Sequence, residues 1–281
     1  MSIKNNNTRR EDLVIRQPIS QRRRVAFGIL AWAIIAIGYT WISYQKHIEN
    51  PTDTTTPTWV QIWDGVRTVI TYQEFDEHRW LVADFTATGL RLLLGLIPGV
   101  GFAIVLGVLM GCNGTIRAFF EPLFVPIGRV PGTAMMVAFF ILVGTGTTMY
   151  AGMIMFGVLP PLALAITMAV DDVPPEYPEH TYTIGGTNPE VIWNTILPAI
   201  LPSIIGSIRL QLGIALTALI AAESLVGDIG IGYRLRMEYR ATRMSTIYVY
   251  LVILAVIGLL SDNGLLRLRH RLCKWYQRNG E

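Results

Sequence analysis

Six stretches of this chain are apolar for about twenty residues at a time, and that pattern fixes the solvent before it fixes the fold. The runs are 25–44, 88–111, 124–143, 149–170, 202–222 and 246–260. A hydrocarbon layer about 30 Å thick needs about 20 helical residues to cross it. In lipid, backbone polar groups are satisfied only inside helices or closed barrels. Barrel strands would alternate in polarity over about 10 residues; these runs are longer and do not alternate. The first run is not a removable leader, because it is too long and no small-residue cleavage site follows it. Composition agrees: 52% of residues are hydrophobic and 15% charged, against about 25% charged in an ordinary soluble domain. Disorder, which needs low hydrophobicity and high net charge, is excluded. Cys112 and Cys273 are too few for a disulfide scaffold. A net charge of +3 is too small and scattered for nucleic acid. The expected fold class is therefore an all-α membrane protein with six transmembrane helices.

Six crossings return both termini to one side. Lys4, Arg9, Arg10, Arg16, Arg22, Arg23 and Arg24 precede the first run; Arg267, Arg269, Arg271, Lys274 and Arg278 follow the last. Positive residues stay inside, so both termini are expected in the cytoplasm, in a cell inner (plasma) membrane. Arg234, Arg236, Arg240 and Arg243 fall in a loop that this count places outside, and are outvoted. The expected organisation is a basic cytoplasmic tail over 1–24, a first transmembrane helix over 25–45, an external linker over 46–87, a core over 88–262 and a second basic tail over 263–281.

Two connections carry structure of their own. In the linker, Trp59, Ile62, Trp63, Val66 and Ile70 recur at helical spacing behind a Thr58/Gln61 capping box. This predicts an amphipathic helix, lying on the membrane or on the bundle, or docking a soluble partner. The cytoplasmic connection 171–201 is too polar for lipid yet strongly punctuated. Gly185 and Gly186 break the chain; Thr187, Asn188, Pro189 and Glu190 start a helix, with Thr and Glu as a capping box and Pro in the first turn. Val191, Ile192, Ile196 and Leu197 follow as an apolar face, and Pro198 and Pro202 open the next run. An ordered elbow with an exposed apolar face is expected to dock another protein. In the second run Gly95, Gly99, Ala103, Gly107 and Gly111 line one face, which admits a close neighbouring backbone.

Glu179, Gly185, Leu197 and Pro198 are spaced as in the loop motif of ATP-binding-cassette importer permeases, E-A-A, three residues, G, nine residues, I-x-L-P. Here the alanines are His180 and Thr181, and the isoleucine is Thr195. Thr56-Pro57-Thr58, the series Thr88, Arg91 and Gly95, the prolines 122, 126 and 131 with Ala134, and Arg209 with Ala222-Glu223, Gly230 and Gly232 resemble the nitrate/sulfonate/taurine/bicarbonate branch. The resemblance covers roughly residues 56–262. It implies a permease core with a coupling helix after Gly185. It also implies a second permease chain, two nucleotide-binding ATPase subunits on the cytoplasmic elbows, and an extracellular or periplasmic solute-binding protein. Glu179, Gly185, Gly186, Thr187, Asn188, Pro189, Glu190, Leu197 and Pro198 become the ATPase-coupling residues. No G-x-x-x-x-G-K-[ST] exists, so ATP and Mg are expected on the partner chains, with no catalytic residue and no cofactor on this one. The histidines and cysteines show no metal-ligand spacing.

Charge inside a membrane costs about 2.5–3.5 kcal/mol on insertion scales, so each such residue is a candidate for the solute path: Arg209 with Gln211, Arg129 beside Pro131, Glu223 and Arg91. For Arg209 the alternative is a structural ion pair, possible with Glu223 only across helices or chains, since 14 residues of one helix span about 21 Å. For Arg129 and Arg91 it is an interfacial anchor. The expected function is the membrane-spanning permease of an ATP-driven importer for a small anion, nitrate or bicarbonate ahead of sulfonate or taurine. The alternatives are a permease for a neutral or cationic solute, or an ATP-independent carrier or scaffold.

Overall fold

The computed structural model describes residues 19–51, 53–71 and 80–276. Residues 1–18 and 277–281 of the two expected tails, and 72–79 of the linker, lie outside the described residues. The described residues are helical: α1 (Gln21–Glu49), α2 (Trp59–Thr71), α3 (Trp80–Cys112), α4 (Gly114–Ile127), α5 (Met136–Val143), α6 (Thr147–Asp171), α7 (Glu176–Thr183), α8 (Asn188–Val191), α9 (Leu197–Val226), α10 (Ile231–Arg240) and α11 (Met244–Leu272). A π-helical turn, Ile192–Ile196, joins α8 to α9.

Contacts divide the chain into residues 1–60 and 61–281. In the first unit α1 is pinned to the segment after it. The Tyr39 hydroxyl donates to the Pro57 carbonyl at 2.6 Å, Ser43 Oγ donates to the Thr56 carbonyl at 3.0 Å, and Trp59 stacks edge-on against Tyr39.

Among the described residues, five unbroken stretches are long and apolar enough to cross a membrane: Gln21–Glu49, Trp80–Cys112, Thr147–Asp171, Asn188–Val226 and Met244–Leu272. The remaining expected run, 124–143, is helical only at its ends. α4 stops at Ile127, α5 starts at Met136, and the chain between them turns without forming a helix. Gly128, Pro131 and Gly132 explain the break: proline lacks the N–H for a helical bond and its ring clashes with the preceding turn. At 14 and 8 residues, α4 and α5 span only about 21 and 12 Å. α3 also begins at Trp80, within the stretch expected as linker, and α11 runs twelve residues past the expected end of the last run.

The core of the second unit is the α3–α6 pair, with α9 packed on it. The small-residue face of α3 is what allows this. A Cβ on Gly107 would lie 2.7 Å from the Ala163 carbonyl oxygen, and one on Gly111 would lie 2.5 Å from Val170 Cβ. Ala103, one turn before Gly107, is fully buried. α2 is amphipathic as expected, and the residues of it within this unit show which side is used. Val69 is buried with Ile62 and Val66 beside it, against Ile231, Val249 and Tyr250, while Trp63 and Ile70 stay exposed.

Candidate functional site

Three features gather the residues singled out from the sequence. The first is the elbow between α6 and α9. Gly185 sits at φ +89°, a conformation that favours glycine, and the Gly186 N–H donates to the Thr181 carbonyl at 3.0 Å. The expected capping box forms: the Thr187 N–H and hydroxyl both donate to Glu190 Oε2, at 2.7 and 2.8 Å. Asn188 Oδ1 accepts from the Tyr182 hydroxyl at 3.1 Å. Pro189 occupies the first turn of α8. The Glu179 side chain, on α7, is exposed.

The apolar face expected to be exposed is not. Val191 is buried, and Ile192, Ile196 and Leu197 pack against the main core. The π-helical turn inserts a residue relative to α-helical spacing and runs the elbow directly into α9, so these side chains anchor it from within. Pro198 opens α9. The exposed apolar surface of the elbow is instead Tyr177, Tyr182, Ile184 and Trp193, the last two 75% and 68% exposed.

The second feature is a cavity of about 170 Å³ at the break between α4 and α5. Residues 128–132 form one wall, Met153, Ile154, Gly157 and Val158 of α6 another, and Gln211, Ile214, Ala215 and Ala218 of α9 a third. It brings together Arg129 and Gln211. The Gln211 side chain is buried and its Oε1 accepts no hydrogen bond. Arg129 is exposed, with no ion pair formed among the described residues. Backbone irregularity at membrane depth is tolerated where it lines a cavity.

The third feature holds the other charged candidates, and none of them opens onto that cavity. Glu223 is wholly buried. Its carboxylate accepts from Arg91 Nη1 at 2.9 Å, from Thr88 Oγ1 and from the Gly232 N–H. Arg91 also donates to the Ile229 carbonyl at 2.6 Å and lies 4.4 Å over the Tyr150 ring. One helix turn before Thr88, buried Asp84 accepts from Arg234 Nε at 2.9 Å, from the Tyr250 hydroxyl and from the Gly230 N–H. This clamp ties α3, α9, α10 and α11 together with every carboxylate satisfied. Arg91 and Glu223 are thus bound to each other, and Glu223 is not the partner of Arg209. Arg209 makes a two-point pair with Asp262 of α11, at 2.6 and 2.7 Å.

The sequence reading missed Asp84, Asp262 and Tyr250, whose partners lie 53–166 residues away and leave no local pattern. It also treated the arginines of 234–243 as one loop cluster. Arg234 is buried against Asp84 and the Trp80 ring, and Arg236 donates to the carbonyls of Leu225 and Gly227. Among the described residues no group of three or more His, Cys, Asp or Glu is placed to hold a metal.

A family model described as binding-protein-dependent transport system inner membrane component matches residues 99–272. The taurine transport system permease protein TauC of Escherichia coli (strain K12) is 26% identical over 264 residues, 93% of each chain. The putative aliphatic sulfonates transport permease protein SsuC of Bacillus subtilis (strain 168) is 27% identical over 75% of this chain and 76% of its own. The nitrate import permease protein NrtB of Synechocystis sp. is 23% identical, over 73% and 76%. Among solved structures, a chain of the MetNI methionine ABC transporter in an inward-facing conformation superposes with a TM-score of 0.62 at 17% identity. It covers 71% of this chain and 99% of that one.

Proposed function

Because the chain belongs to the binding-protein-dependent transport system inner membrane components, we propose that its cavity at the α4–α5 break carries a small sulfonate across the membrane, driven through the elbow 176–198 by partner ATPases. The chain is the permease subunit of an ATP-driven importer for small solutes. The choice of a sulfonate is carried by the pairing of Arg129 with Gln211 on one cavity. A guanidinium presents several N–H donors in a plane and suits an oxyanion. A buried carboxamide oxygen that lacks a donor is costly and is satisfied by a solute bearing an N–H. An aminosulfonate such as taurine supplies both ends; nitrate and bicarbonate, favoured on sequence, have no ammonium. The cavity is several times the roughly 30 Å³ share of one water and below the usual 300–1,000 Å³ of drug-sized sites, which fits a small solute. The near-complete alignment with a taurine permease points the same way.

For coupling, Tyr177, Tyr182, Ile184 and Trp193 form the surface that a nucleotide-binding subunit would grip, while Val191, Ile192, Ile196 and Leu197 transmit its motion into α9. ATP and Mg belong to that subunit, and a periplasmic binding protein would deliver the solute. A cytoplasmic elbow and termini accord with Arg22, Arg23 and Arg24 at the start of α1 and with Arg267, Arg269, Arg271 and Lys274 at the end of α11. The test is uptake of labelled taurine and nitrate by proteoliposomes holding the whole complex and its binding protein. Arg129→Ala is expected to lower taurine uptake at least tenfold, and Gln211→Leu to lower taurine more than nitrate. Wild-type uptake by both variants would remove the cavity from the path.

A further inference from the structure

Helix α11 is longer than the hydrocarbon layer requires. Its 29 residues span about 43 Å, against about 30 Å of hydrocarbon and about 40–45 Å for a bilayer with its headgroups. Its last turns therefore reach headgroup depth, and Arg267 and Arg271 lie within about 8 Å of its end. Those turns carry Arg267, Arg269 and Arg271, Lys274 follows just past the helix, and no acidic residue stands between Asp262 and Tyr276. Asp262 is already held by Arg209. Arg269 is buried, whereas Arg267, Arg271 and Lys274 are exposed.

The exposed arginines continue an apolar stripe. At about 100° per residue Val252, Val256, Leu259, Leu260, Arg267 and Arg271 fall within about 120° of arc on α11, and every one of them is exposed. Asp262 falls outside that arc. The apolar members precede Arg267 by 7 to 15 residues, about 10–22 Å along the helix. One leaflet's share of the hydrocarbon is about 15 Å. The face thus has the length of one lipid, apolar where the acyl chains run and cationic where the phosphate sits.

We propose that this face of α11 binds an anionic phospholipid, its acyl chains along Val252, Val256, Leu259 and Leu260 and its phosphate between Arg267 and Arg271. Residues four apart are neighbours on a helix, so the two guanidinium groups converge on one phosphate, which each can meet with two N–H donors. A zwitterionic headgroup brings a cation of its own to this place; a net-negative one brings acceptors alone, and basic clusters beside a membrane span attract it. Exposed Trp275 and Tyr276 follow just beyond, and such amphipathic rings settle at the boundary between membrane and water. A lipid held there fixes the depth of the helix that brings Tyr250 to Asp84. This holds for any solute, provided that α11 crosses the bilayer, as its length and hydropathy allow.

The test is lipid retention by the whole complex, released from nanodiscs of phosphatidylcholine mixed with phosphatidylglycerol and weighed by native mass spectrometry. The unaltered complex is expected to retain phosphatidylglycerol in preference to phosphatidylcholine. Arg267→Gln with Arg271→Gln should cut that retention by about fivefold for each charge removed, and Arg267→Lys with Arg271→Lys should keep most of it. Unchanged retention in the glutamine pair, or an equal loss from Arg240→Gln on α10, would overturn the site. Inorganic phosphate or glycerol phosphate added to the buffer should displace nothing; displacement would overturn the lipid in favour of a soluble phosphate. The apolar half has its own measurement. A spin label at Val256→Cys, with Cys112 and Cys273 replaced by serine, should be reached by oxygen dissolved in the lipid. A label shielded from that oxygen would put protein on the stripe and overturn the site. Uptake by the same preparations keeps this separate from the solute path: normal transport by Arg129→Ala would sink the path and leave the lipid site standing.

Discussion

Arg91 and Glu223 show what a buried charge demands of its neighbours. Arg91 is the cation that faces the Glu223 carboxylate, at 2.9 Å, and Glu223 has no exposure to water. Arg91→Ala would strand that carboxylate, at a cost of about 3–5 kcal/mol; Glu223→Gln keeps the shape and should cost about 1–3 kcal/mol. Thermal unfolding in detergent would show it, with equal shifts for the two variants counting against the charge argument. At Asp53 the same bookkeeping concerns pH. The Thr55 hydroxyl and N–H and the Thr56 hydroxyl bond to its carboxylate and hold it well below the ordinary carboxylate range. Because the folded value is depressed, the turn's extra stability is present above the ordinary pKa of 3.8 and is lost as pH falls through the folded value. Exchange of the Thr55 amide should therefore stay slow at pH 5 and quicken only in strong acid; quickening already near pH 5 would contradict it. Residue identity was readable from sequence where the type alone is informative. An arginine or glutamate inside an apolar run needs a partner or a water-lined path; Arg91, Arg209 and Glu223 have partners, and Arg129 lines the cavity. Which partner it has was not readable, because Asp84, Asp262 and Tyr250 reach their mates through the fold.

Elements were legible to the extent that their signal is local. The five unbroken apolar helices, the α2 amphipath and the Thr187–Glu190 start all follow from periodicity and capping. The break in 124–143 was written in Gly128, Pro131 and Gly132, but hydropathy alone counts such a run as continuous. Periodicity also marked an apolar face after Glu190 without saying whether it meets a stranger or its own core; only the packing of Val191, Ile192, Ile196 and Leu197 decides that. The α3–α6 contact makes the strongest prediction at this scale. Gly107→Val would push a side chain into the Ala163 backbone, and overpacking of this kind costs about 1–3 kcal/mol or more. The same change at Gly101, whose Cβ would meet open space, should be mild. Thermal midpoints of the two variants ought to differ by several degrees, and matching midpoints would mean that α3 and α6 are not held this close.

For the molecule as a whole, the elbow and the clamp mark opposite ends of α9. Trp193→Ala together with Ile184→Asp should leave the chain folded but strip the ATPase from it on purification; retention of the ATPase would place the grip elsewhere. The clamp has a consequence for how the chain is made. Arg91 bonds to a glutamate 132 residues further on, and Asp84 to an arginine 150 residues further on. At 5–20 residues per second of synthesis, Glu223 leaves the ribosome roughly 7–26 s after Arg91. During that interval the newborn α3 carries two unmatched charges near its leading end. A chain truncated before α9 would keep them so, and quality-control proteases would find it exposed while the finished chain escapes.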